Sequence, residues 1–231
     1  MTAVFYWDNT YILVLIAFML SMFASFGVQA TFSKYQKVNS RRGMTGMDAA
    51  RQILDANGLY SVRIEHIQGN LNDHFDPRDG VIRLSDATYQ SASVAAIGVA
   101  AHEAGHAIQH AKGYAPIKVR NAILPVVNIG SSLSMPLFFI GLILGMTPLA
   151  MAGVFLFSGV LLFQLVTLPV EFNASRRALA ILKTSSMLDA EEVKNAGKVL
   201  KAAAMTYVAA VLSSALQLLR LLLLVNRRRR D

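Results

Sequence analysis

The chain has 231 residues and no cysteine, which excludes disulfides and thiolate metal ligands. Hydrophobic residues make up 54% of it and charged residues only 16%, below the roughly 25% of a soluble globular protein, so part of the chain is expected to lie in a lipid bilayer. The basic residues behind the net charge of +8 cluster at the ends of apolar runs, which favours membrane headgroups over nucleic acid as the partner.

The first predicted element is an apolar run over residues 11–27, which extends from Phe5 to Ala30 if polar residues are allowed at the bilayer surface. It is long enough to cross a hydrocarbon core of about 30 Å. A secretory signal peptide is the alternative interpretation, since Val28-Gln29-Ala30 resembles a cleavage site. No Lys or Arg precedes the run, and the run exceeds the length of a signal core. Residues 1–30 are therefore predicted to form an uncleaved transmembrane anchor.

Residues 31–120 are predicted to form a soluble segment on the cytoplasmic side. The positive-inside rule gives that orientation because basic residues follow the anchor, namely Lys34, Lys37, Arg41, Arg42 and Arg51. Within the segment, Thr45 is predicted to cap a helix that ends before Gly58. Alternating polar and apolar residues predict a strand over residues 61–67, and turn-rich sequence follows it. A second short strand, Val81–Ser85, is interpreted either as a core strand or as a sheet edge onto which an extended peptide adds.

A helix is predicted over residues 91–111, which are rich in alanine and contain no proline. Its apolar part is too short to span a membrane, so a buried core helix is expected. The helix carries the motif His102-Glu103-Ala104-Gly105-His106, whose two imidazoles lie about 40° apart on one face. They can occupy two corners of a zinc tetrahedron, and Glu103 can act as the general base toward zinc-activated water.

Two residues in and beside the motif allow more than one interpretation. Gly105 indicates either the close approach of another element or simple tolerance of glycine in a helix. His110 continues the four-residue spacing, but about 12 Å of helix separates it from His102, so one ion cannot bind all three histidines. His110 is therefore expected to lie at the surface or to contact a metal ligand without binding the metal itself. The third ligand is expected elsewhere in the chain.

Two uncharged apolar runs, residues 126–146 and 149–170, predict a transmembrane hairpin within residues 121–170. Such a hairpin returns the chain to the membrane face that carries the motif. Glu171 is the first charged residue after it, and small residues one turn later permit close helix packing. An acid at a membrane boundary is often only interfacial. Here its placement makes Glu171 the preferred third zinc ligand, in a helical segment over residues 171–204.

The last apolar run, residues 205–225, belongs to a C-terminal segment that ends in a basic tail at residue 231. The run is long enough to span a membrane, but it contains Arg220, and four arginines follow it. Crossing would place those four arginines outside, against the positive-inside rule. Three spans are therefore favoured over four, with a cytoplasmic or interfacial helix as the alternative to a fourth span.

The motif, the hairpin and the sequence Glu171-Phe172-Asn173-Ala174-Ser175 together resemble the YugP-like neutral zinc metallopeptidases of bacterial membranes. The resemblance covers nearly the whole chain, including residues 73–78 and 81–85. More distantly, the chain is similar to the heat-shock and CAAX-prenyl membrane proteases, which are gluzincins with a glutamate as third ligand. The resemblance implies one Zn2+ per chain, bound by His102, His106 and Glu171, with Glu103 as the catalytic base.

One position departs from the pattern of the distant group. There the helix of the third ligand reads E-x-x-x-D, and the Asp orients a zinc-bound histidine. Ser175 stands at that position here. The histidines could instead be oriented by Ser175, by Asn173 or by a backbone carbonyl.

The fold expected from these patterns is that of a mainly α membrane protein with three or four transmembrane helices and a small α+β zincin-like domain at the membrane surface. The expected activity is that of a zinc-dependent metalloendopeptidase of the cell membrane, acting on membrane or membrane-proximal proteins. Its expected partners are a protein or peptide substrate and the lipid bilayer, but not nucleic acid; membrane partner proteins and a homo-oligomer stay open. The alternative is a non-catalytic membrane scaffold or chaperone-like protein whose structural zinc is closed by a fourth protein ligand.

Overall fold

The computed structural model describes residues 9–228, which form six helices and three strands. In chain order these elements are α1 (Tyr11–Tyr35), α2 (Gly46–Ala56), β1 (Arg63–Ile67), β2 (His74–Asp76), β3 (Val81–Ser85), α3 (Val94–Ala111), α4 (Ala115–Ile143), α5 (Thr147–Thr184) and α6 (Ala190–Arg228). The extended form of the predicted anchor begins at Phe5, and the predicted basic tail includes Arg230. Both residues lie outside the described part of the chain.

Among the described residues, four helices are long and apolar enough to cross a membrane, namely α1, α4, α5 and α6. With the small three-stranded sheet, they confirm the predicted class of a mainly α membrane protein with a small α+β domain. Only residues 144–146 separate α4 from α5, as expected of a helical hairpin. Helix α6 continues through Arg220 without a break, and it is the fourth candidate span where the sequence favoured three.

Two compact units divide the chain. The helical unit takes the described parts of residues 1–24, 119–167 and 206–231, and the mixed unit takes residues 25–118 and 168–205. In the helical unit, Phe138 of α4, Val154 of α5 and Leu221 of α6 share one apolar cluster. The hydroxyls of Ser21 and Ser213 lie 3.0 Å apart, so α1 also contacts α6 in this unit.

The sheet of the mixed unit has the strand order β1-β3-β2. Strand β3 pairs in parallel with β1 and antiparallel with β2, so it is the central strand. For Val81–Ser85 the interpretation as a core strand is therefore correct and that as a sheet edge is wrong, because partner strands occupy both sides.

Strand β2 lies in sequence for which only turns were predicted. Just before it, the Asp73 carboxylate accepts hydrogen bonds from the backbone N–H (2.8 Å) and the hydroxyl (3.0 Å) of Ser85.

Helix α2 begins and ends at the predicted residues. The Thr45 hydroxyl accepts a hydrogen bond from the Asp48 N–H, and the Thr45 N–H donates to the Asp48 carboxylate, which completes a capping box. Gly58 follows the helix with φ of +72°, a left-handed conformation that glycine adopts without strain. The predicted helix between Thr45 and Gly58 is confirmed.

Helix α3 lies at the centre of the core of the mixed unit. Its Ile97 belongs to one apolar cluster with Ile53 of α2, Leu84 of β3, Leu182 of α5 and Leu200 of α6. Because neighbours from four elements pack on it, α3 is buried over most of its length. This confirms the predicted core helix and fixes the backbone that carries the histidine motif.

Candidate metal centre

Helix α3 presents both motif histidines toward α5. The helix begins after Ser93, whose hydroxyl caps it by accepting a hydrogen bond from the Ala96 N–H at 3.1 Å. His102 and His106 lie one turn apart in its second half, and their ring centroids are 4.6 Å apart. Since α3 is held by the core, packing fixes the backbone from which the two rings project.

Three donor atoms meet where α3 faces α5. The Nε2 atoms of His102 and His106 are 3.1 Å apart, and Glu171 Oε2 lies 3.2 Å from the first and 3.5 Å from the second. Zinc at about 2.0–2.1 Å from each corner of a tetrahedron requires ligand atoms about 3.3–3.4 Å apart. The three atoms therefore match one face of a zinc tetrahedron. Within residues 9–228, this is the cluster of histidine and acidic side chains that could hold a metal ion.

Gly105 accounts for the closeness of the two helices. A Cβ at this position would lie 2.9 Å from the carbonyl oxygen of Ala174 on α5, closer than relaxed contacts allow. Ala174 is fully buried and lies three residues after Glu171, on the same side of α5. Of the two interpretations of Gly105, the close approach of another element is confirmed.

Gln109, which the sequence did not single out, orients His106. Its side-chain NH2 donates to the backbone carbonyl of Val170 at 2.8 Å and to Asn173 Oδ1 at 2.9 Å. The carbonyl oxygen of Gln109 is thus left to accept from His106 Nδ1, which lies 3.0 Å away. With its proton on Nδ1, His106 presents the lone pair of Nε2 to Glu171. The signal available in the sequence was a glutamine one turn beyond the motif on a buried helix.

Ser175 occupies the corresponding place beside His102. Its Oγ lies 3.1 Å from His102 Nδ1 and can accept the proton of that nitrogen, which leaves Nε2 as the unprotonated atom. Of the three partners considered from the sequence, Ser175 contacts a histidine directly. Asn173 acts one step further away, because its Oδ1 accepts from Gln109 and from Arg177 Nε at 2.7 Å.

The electrostatics of this arrangement favour a cation. Two imidazole lone pairs and one carboxylate face each other, and the Glu171 side chain is only 4% exposed. Burial disfavours the charged form of His106, but that form can donate a hydrogen bond from Nε2 to Glu171 and is attracted by the charges of Glu103 and Glu171, so the pKa of His106 is raised. A proton or a metal ion can accept the lone pairs of these three atoms. The donor set, two nitrogens and one oxygen at tetrahedral separations, fits Zn2+.

Two further residues of α3, Glu103 and His110, lie in different environments, the first buried and the second exposed. Glu103 is buried, at 7% exposure, and no hydrogen bond within residues 9–228 engages its carboxylate. Its carboxylate is therefore not committed to another described group of the protein. His110 is exposed and lies against Phe75 of β2, with ring centroids 5.9 Å apart. As expected from the helical spacing, His110 is a surface residue outside the donor cluster.

Comparisons with known proteins bear on the chemistry of such a site. Residues 10–226 match the model of a family described as putative neutral zinc metallopeptidases. Over 212 residues the chain is 47% identical to a Bacillus subtilis (strain 168) protein named "Putative membrane protease YugP", and the match covers 92% of this chain and 94% of that protein. No solved structure matches the chain.

Proposed function

Because the chain belongs to the family of putative neutral zinc metallopeptidases, we propose that it is an integral-membrane zinc metallopeptidase with His102, His106 and Glu171 as the ligands of one Zn2+. Its substrates are membrane or membrane-proximal proteins, whose peptide bonds it hydrolyses. The observation that carries the proposal is the meeting of two imidazole Nε2 atoms and an oxygen of a buried carboxylate at separations of 3.1–3.5 Å. Three such donors repel one another unless a cation lies between them.

In this proposal each residue of the site has one task. Zinc held by the three ligands would supply Lewis acidity and would lower the pKa of a water molecule toward about 7. Glu103 accepts the proton of the attacking water and then delivers it to the leaving amine. Gln109 and Ser175 hold the imidazoles in the tautomer that leaves Nε2 unprotonated.

The alternative is a non-catalytic membrane scaffold or chaperone-like protein that binds a structural zinc. A structural zinc is enclosed by four protein ligands, whereas a catalytic zinc keeps one position open. Within the described chain the donor cluster has three members, and the His102 side chain is 14% exposed, so solvent reaches one side of the cluster. The ligand count therefore favours catalysis.

The base is tested by Glu103→Gln, with Glu191→Gln as the matched control at an exposed acid of α6. The purified chain is assayed for zinc content and for proteolysis of casein. Glu103→Gln is expected to retain zinc and to lose activity by about 10²–10⁴-fold, since it removes the general base but no ligand. The control is expected to retain both. Unchanged proteolysis in Glu103→Gln contradicts the mechanism.

The proposal also places the metal centre on the cytoplasmic side, because basic residues follow the apolar part of α1. The absence of native cysteine makes a single introduced cysteine a clean reporter. Lys112→Cys alters an exposed residue just after α3. A membrane-impermeant maleimide should label this variant only after the cells are permeabilised. Labelling in intact cells would reverse the proposed orientation.

A further inference from the structure

A shallow surface cavity of about 480 Å³, widely open to solvent, lies in the mixed unit between the end of α1 and the first half of α6. Its volume falls within the range of about 300–1,000 Å³ typical of small-molecule sites. Lys34 and Tyr35 of α1 line it together with Lys198, Lys201 and Met205 of α6. None of its lining residues belongs to the metal centre, so it is a separate feature of this unit.

Positive charge converges on this cavity. The ammonium groups of Lys34 and Lys198 lie 5.5 and 5.3 Å from the centre of the Tyr35 ring. Lys198 also donates to Tyr35 Oη at 3.0 Å and to Asn195 Oδ1 at 3.1 Å. No acidic residue lines the cavity, and in the part of the chain that the structure describes none of its three lysines is paired with Asp or Glu. Such a site attracts an anion.

The position of the lysines along the two helices indicates which anion. Lys34 is the basic residue in the last turn of α1, which is a candidate membrane span. Lys201 stands four residues before Met205, where the last apolar run of the sequence begins. Lysines at the ends of apolar helical runs lie at the depth of lipid headgroups. Met205 and Ala30 also line the cavity, so a ligand with an apolar part beside its charge fits it better than a bare ion.

We propose that this cavity binds the phosphate group of an anionic phospholipid. Lys34, Lys198 and Lys201 are the cationic contacts, and the buried Tyr35 ring is the rigid wall that holds two of them. Charge-assisted hydrogen bonds from ammonium groups to phosphate oxygens supply the binding. Inorganic phosphate offers anionic phosphate oxygens without the apolar part, so the two sources of phosphate can be distinguished.

The test uses the full chain in detergent, freed of lipid and titrated with phosphatidylglycerol or with phosphatidylcholine of the same acyl chains. Native mass spectrometry counts the bound lipid. The double variant Lys34→Gln/Lys201→Gln keeps the Lys198–Tyr35 hydrogen bond. It is expected to weaken phosphatidylglycerol binding about 25-fold, because each lysine near an anionic surface contributes roughly fivefold. The control Lys112→Gln/Lys183→Gln removes two exposed lysines elsewhere in the same unit and should change the affinity less than about twofold.

Equal affinities of the two double variants for phosphatidylglycerol overturn the proposal. Equal binding of the two lipids by the unmodified chain also overturns it, and this comparison decides the matter if the lysine variant does not fold. Displacement of the lipid by inorganic phosphate at comparable affinity assigns the cavity to free phosphate instead. Retention of phosphatidylglycerol in excess phosphate supports the lipid.

Discussion

Substitution of Gly105 by alanine perturbs the metal centre through packing alone. The added Cβ would lie 2.9 Å from the Ala174 carbonyl oxygen, about 0.5 Å inside an ordinary carbon–oxygen contact. Helix α5 must retreat by about that distance, and Glu171 lies on the same helix three residues earlier. Metal sites accept deviations of about 0.2 Å in ligand distance. We therefore expect zinc affinity to fall about 10–100-fold, as it does when the support of a ligand is lost.

The stability of Gly105→Ala follows from two opposing effects. Alanine favours a helix by about 1 kcal/mol over glycine, whereas overpacking costs about 1–3 kcal/mol, so the metal-free protein should lose about 0–2 kcal/mol. Gly197→Ala on α6 is the matched control, because its Cβ would meet only the Leu179 side chain at 3.5 Å. Zinc affinity from competition with a chelator and unfolding of the metal-free protein are compared for both variants. Unaltered zinc affinity in Gly105→Ala would refute the reasoning.

Three further substitutions test the surroundings of the site. Gln109→Met removes the acceptor that fixes the tautomer of the second histidine of the motif, so the Kd for zinc should rise about 10–100-fold, whereas Gln36→Met, at an exposed glutamine, should leave it unchanged. Ser175→Ala removes the partner of the first histidine and should raise the Kd about tenfold; an unchanged Kd would show that the hydroxyl is dispensable. Asp73→Ala leaves the buried Ser85 N–H without a partner and should cost about 1–3 kcal/mol in denaturant unfolding, with zinc affinity retained. A loss below about 0.5 kcal/mol would contradict that account.

The sequence predicted the parts of the fold that depend on local patterns. Apolar runs long enough to cross a bilayer predicted the long apolar helices. The capping residue Thr45 and the glycine Gly58 predicted the two ends of α2. The distance along the helix excluded His110 as a ligand of the same ion as His102. The hairpin brings the chain back to the membrane face of the motif, which is why Glu171 was singled out. Each of these conclusions needs only distances along one helix or the direction in which the chain crosses a membrane.

The parts that were missed or left open depend on contacts between distant residues. Strand β2 has three residues among turn formers, and it exists because β3 pairs with it. The central place of β3 likewise follows from two pairings that no local pattern encodes. Gln109 orients a histidine only because α5 supplies Val170 and Asn173 to bind its amide. Ser175 was considered, but the choice between it and its rivals needed the distance to His102.

The zinc affinity of Glu171→Ala tests the central claim most directly. Glu171 lies on a different helix from the histidines, and the proposed catalytic site depends on it as the third ligand. Loss of this ligand should weaken zinc binding more than about 100-fold, beyond the effect of removing an orienting residue. Competition with a chelator measures that change in a chain whose circular dichroism is unaltered. Zinc binding at the affinity of the unmodified chain would contradict the account.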